Sequence, residues 1–108
     1  MTQYTNAKDR YQYKSQKVNW QNIGIEIRYC PNWSVVEDGY GFAHLEIISD
    51  DRQKLPITGT GYKSHFLPPE DITEYGGALD YAIAWLEEAS QSNAWRDHVE
   101  DQRQGCLF

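Results

Sequence analysis

His44, Glu46, Tyr62, Lys63 and His65 are the residues of this 108-residue chain whose types could do chemistry together. Two imidazoles, a carboxylate, a phenol and an amine supply an acid–base site if the fold brings them within hydrogen-bond reach. They form the candidate polar site. Ser64 adjoins His65, and neighbours in an extended chain point to opposite sides, so these two do not read as a nucleophile and its base. His44 and Glu46 share one side of a strand, as do Glu26 and Arg28, and such a set is ordinarily a polar cross-strand cluster. His44, His65 and His98 lack short metal-ligand spacing, and Cys30 has no cysteine nearby, so neither a metal nor a cofactor is expected. No residue is assigned as catalytic. A small enzyme working through His44, Tyr62 and His65 stays as an alternative to a non-enzymatic role, and it requires a concave pocket joining those side chains.

Gly59, Gly61, Lys63 and Ser64 share residue types with phosphate-binding loops. Tyr62 stands where such a loop has glycine before its lysine, and Pro68-Pro69 forbids the long helix that should start there. These glycines are expected to serve the backbone where sheet crosses to helix.

The elements that must position these groups follow from the apolar period. Residues from Tyr11 to Trp20 are rich in strand formers, and Gln21-Asn22 reads as a turn. Ile23, Ile25, Ile27 and Tyr29 then alternate with Gly24, Glu26, Arg28 and Cys30, a strand that Pro31 should end. A third strand is expected over Phe42–Ile48 and a fourth over Leu55–Thr60, separated by a turn at Ser49–Arg52. Short connections imply an antiparallel meander. Its cover comes from Leu79, Ala82, Ile83, Leu86 and Ala89, which recur at helical spacing after a short helical turn near Pro68–Asp71. Ser92-Asn93 either closes this helix or caps another, from Ala94 to about Gln102, anchored by Trp95. The expected fold is α+β, an antiparallel three- to four-stranded meander covered on one face by a C-terminal amphipathic helix. Residues 1–10 read as a flexible leader, 11–102 as a single domain and 103–108 as a C-terminal tail.

Composition bounds the function. Hydrophobic residues at 40% are too many for wholesale disorder, and no apolar run approaches a membrane span. The first residues lack the apolar segment of a signal peptide, so a cytoplasmic protein with two free thiols is expected. The net charge of −6 is unevenly spread. Residues 1–17 carry +3, whereas residues 70–101 carry −8. Such an acidic half argues against nucleic acid, whose phosphates demand unpaired cations.

Two runs carry resemblances. Gln104, Leu107 and Phe108 resemble the peptide with which bacterial replication and repair proteins dock on the DNA polymerase sliding clamp, a motif of Gln, Leu, Ser or Asp, Leu and Phe. Gly105 and Cys106 depart from it. The resemblance implies that Leu107 and Phe108 enter an apolar pocket while Gln104 bonds at its rim. His44-Leu45-Glu46-Ile47 together with Gly61-Tyr62-Lys63-Ser64-His65-Phe66-Leu67 is similar to a family of small uncharacterised bacterial proteins associated with plasmids and mobile elements, over roughly Ile23 to Trp95. That family implies no activity. The favoured function is a non-enzymatic interaction module that docks on a protein partner, the sliding clamp, through its C-terminal tail, with a homodimer as a further possible association. An acidic inhibitor or host-factor-binding protein of a mobile element is the other alternative.

Overall fold

The computed structural model describes residues 12–35 and 41–105. Strand β1, Lys14–Trp20, leads into β2, Ile23–Val35, then β3, Gly41–Ser49, and β4, Tyr62–Leu67. The sheet order is β1-β2-β3-β4 and every pairing is antiparallel. Three helices follow: α1, Pro69–Glu74, α2, Ala78–Ala89, and α3, Asn93–Gly105. The α+β meander expected from the apolar pattern is the fold of the protein.

Local chemistry explains each junction. Gln21 and Asn22 have φ of 48° and 66°, the left-handed pair of a two-residue hairpin turn whose twist matches its strands. Ser92 caps α3, its hydroxyl accepting from the Trp95 amide at 3.1 Å. Pro69 sits in the first turn of α1, where its missing amide hydrogen costs no bond.

Two strand boundaries differ from the sequence reading. Pro31 does not end β2, because the register shifts between Cys30 and Ser34 while β3 advances only from His44 to Phe42. The proline lies inside this bulge, where no ladder bond is forfeited. The fourth strand is Tyr62–Leu67 rather than Leu55–Thr60. Leu55 and Thr58 instead form an isolated bridge, exchanging backbone bonds of 2.9 and 3.1 Å around Pro56-Ile57. Leu55 enters the core as part of a tight turn. Gly61 returns the chain to the sheet with φ of +77°, so close to Arg52 that a Cβ would stand 2.4 Å from its carbonyl carbon. Only glycine fits there.

The core occupies one side of the sheet. Ile25, Ile27, Leu45 and Ile47 are sealed beneath Ile72 of α1, Ala82 and Leu86 of α2, and Trp95 of α3, which packs 5.9 Å from Trp20. Each fully buried aliphatic side chain contributes about 1.5–3 kcal/mol of transfer free energy. No described helix is long and apolar enough to cross a membrane.

Candidate functional site

The side of the sheet opposite the helices carries the polar residues of β2, β3 and β4, arranged in cross-strand rows. Arg28, Glu46 and Ser64 are register partners in one row, and Cys30, His44 and Phe66 in the next. Antiparallel register places such partners on the same face, so alternation along three strands assembles the cluster. Arg28 Nη1 donates to Glu46 Oε1 at 2.6 Å, and the Tyr62 hydroxyl donates to Glu46 Oε2. Tyr13, just before β1, reaches over to His44, with its hydroxyl 2.5 Å from Nδ1. His44 Nε2 lies 2.6 Å from Ser64 Oγ. Either imidazole tautomer suits this arrangement, since both hydroxyls can donate or accept.

An aromatic layer tops the hydrogen-bonded one. The Phe66 ring stacks on His44 with centroids 4.4 Å apart, and the β2 bulge brings Trp33 to 4.6 Å from Phe66. The Arg28 guanidinium lies 4.5 Å over the Tyr13 ring. Phe42 and Phe66 nevertheless remain 52% and 47% exposed, whereas His44 and Glu46 beside them are buried. Burial lowers the His44 pKa from its usual value, opposed by the Glu46 charge and assisted by Arg28. The hydrogen bond to Glu46 is the main cause that raises the Tyr62 pKa, and burial does the same for Tyr13. At neutral pH both phenols are protonated and the imidazole is neutral.

Strand alternation divides the five candidate residues. His44, Glu46 and Tyr62 meet on the open face, while Lys63 and His65 point to the helical side. There His65 packs 4.8 Å from the Trp85 ring and 3.5 Å from the Tyr81 hydroxyl, and Lys63 Nζ lies 5.9 Å from Trp85. Burial, with Lys63 second, lowers the His65 pKa as well. Tyr13, Arg28, Trp33, Ser64 and Phe66 belong to the open cluster and escaped the sequence reading as a set. Parity was the available signal, because 62, 64 and 66 must share a face once that run is a strand. The proposed tail divides differently: the backbone of Gln104 lies in the last turn of α3, while Leu107 and Phe108, like the leader 1–10, fall outside the described residues.

His44 and Ser64 have the spacing of a base and a nucleophile. Strand amides lie in the plane of the sheet, however, and cannot point at an oxyanion forming above Ser64. Among the described residues, no group of three or more His, Cys, Asp and Glu is placed to hold a metal. The arrangement sets aromatic rings above an internally bonded polar floor in which the Arg28 and Glu46 charges are paired.

No curated protein and no solved structure matches the chain. The family model for the KlcB third domain matches residues 13–95, from the tyrosine that bonds His44 to the tryptophan that anchors α3. KlcB is plasmid-associated, in keeping with the association that the His44–Ile47 and Gly61–Leu67 runs led us to expect. The chain belongs to the KlcB third-domain family.

Proposed function

We propose that this protein is a non-enzymatic interaction module serving a plasmid-associated system in the cytoplasm, and that the open sheet face is its contact surface. The observation that carries this reading is the pairing of half-exposed Phe42 and Phe66 with an ion pair, Arg28–Glu46, already closed within the same face. Interface centres favour aromatic side chains and exclude unpaired charge. A nucleic acid would instead need cations free to meet phosphate, and Arg28 is committed to Glu46.

The occupant we take is a second copy of the chain, in an orientation that lessens the repulsion between like charges. Two molecules of net charge −6 repel each other. Apposing their open faces keeps the helical layers, which hold the acidic residues of 70–101, on the far outsides. Sedimentation equilibrium tests this directly, with the double variant Phe42→Ser/Phe66→Ser as the control. A concentration-dependent dimer that the variant abolishes is expected. A monomer at every concentration, or a dimer indifferent to both substitutions, overturns it.

The resemblance of Gln104, Leu107 and Phe108 to a clamp-docking peptide supports a second contact, with the bacterial sliding clamp as partner. Titrating the clamp with the full chain and with one ending at Cys106 separates the two surfaces. Tail-dependent binding supports that contact, and identical binding by both forms, or none, removes it.

A further inference from the structure

A cleft of about 1000 Å³ opens between the β1–β2 turn and α3, away from the open sheet face. That volume falls within the range of small-molecule sites. Ile23, Val99 and the edge of Trp95 give it apolar surface, and Lys54, His98 and Arg103 stand around it. The Trp95 indole is fixed in place, its Nε1 donating to Gln21 Oε1 at 3.3 Å and its ring 5.0 Å from that of His98. The wall is therefore preformed, which spares a ligand the cost of ordering it.

The charge of the lining is opposite to that of the molecule. The chain carries −6, with −8 concentrated in residues 70–101, yet among the described residues no aspartate or glutamate lines the cleft. Both cations are also available. Arg103 meets Glu100 only at 3.7 Å through two largely exposed side chains, a geometry that contributes little. Lys54 has no ion-pair partner among the described residues.

We infer that this cleft binds a small amphipathic anion, an arylalkyl carboxylate, with its carboxylate between Lys54 and Arg103 and its ring against Ile23, Val99 and Trp95. Charge-assisted hydrogen bonds set the orientation, and the apolar wall supplies the burial. Hydrophobicity alone does not define this ligand, because the neutral amide of the same body forgoes both cations.

The test uses the full chain, with 4-phenylbutyrate as the probe and 4-phenylbutanamide as its neutral counterpart, read by amide chemical shifts. Saturable shifts confined to the β1–β2 turn, Lys54 and α3 are expected, and the amide should bind about ten-fold more weakly, the scale of one charge-assisted contact. Lys54→Gln/Arg103→Gln alters two exposed side chains, so it should fold normally and bind the acid no better than wild type binds the amide. Val99→Asp, which places a carboxylate in the cleft, should abolish binding while an unchanged far-ultraviolet spectrum reports an intact fold. Equal binding of acid and amide, shifts centred elsewhere, or no saturable shift overturns the inference. None of these results depends on whether the open sheet face pairs with a second copy.

Discussion

The two faces of one sheet are built on different physics from the same strands. On the covered side, Ile25, Ile27, Leu45 and Ile47 are sealed by aliphatic and aromatic helix residues, held by area removed from water and close packing. On the open side, Arg28, His44, Glu46, Tyr62 and Ser64 are held by directed bonds, each of which names its partner. The first tolerates exchange of like-sized apolar groups. The second does not, since removing one partner strands another in a partly dry site. Apolar packing and directed polar bonding are thereby divided between the odd and even positions of β3 and β4.

The largest expected effect tests the covered face. Leu45→Ala, at a site with no exposure, should cost about 2–5 kcal/mol in denaturant unfolding, through lost transfer energy and the cavity left behind. A loss well under 1 kcal/mol would mean that the helices do not seal the sheet as described.

Glu46→Gln comes next. It keeps the shape of the side chain but discharges the acceptor of Arg28 and Tyr62, and should cost about 1–3 kcal/mol. A double-mutant cycle with Arg28→Met should return a coupling of at least about 0.5 kcal/mol. Strict additivity would show that the open face is only an assembly of independent surface groups.

The pH dependence is smaller and has a definite sign. His44 and His65 both have pKa values lowered in the folded state by burial. The unfolded chain therefore takes up their protons first as pH falls, and stability present above about pH 6.5 should be lost progressively below it. Tyr13, Ser64, Glu46 and Arg28 surround His44, whereas Lys63 and Asp71 act on His65, so the two histidines can be resolved by substitution. His44→Gln and His65→Gln should each flatten part of the thermal midpoint profile between pH 5 and 7, ranges set by those ordinary values. A profile unchanged by both substitutions would contradict the burial of the two rings.

Phe42→Ser should change stability least, within about 0.5 kcal/mol, because half of the ring already faces solvent. Its consequence should appear in self-association instead. A folding defect as large as that of Leu45→Ala would erase the distinction between the faces.

Sequence alone carried the fold because its period was clear where one side of a strand is sealed. Ile23 to Tyr29 alternates plainly, and Gln21-Asn22 marks the hairpin. Tyr62–Leu67 hid its strand character because both of its sides carry polar or aromatic groups, with Lys63 and His65 lying against Trp85 rather than in an aliphatic core. Leu55 and Ile57 imitated a strand by placing apolar side chains two apart in what is a tight turn. The rule that proline ends a strand failed at Pro31 because a bulge had already opened the ladder. His44 and Glu46 could be named from residue type and parity, but the contribution of Tyr13, 31 positions from His44, needed the register of the whole sheet.

Cys30 shares the row of His44, is buried, and is a free thiol. That gives the molecule a built-in clock. In a Cys106→Ser background, a thiol reagent can reach this buried sulfur only through transient openings of the fold, so the labelling rate counts excursions that leave the average structure untouched.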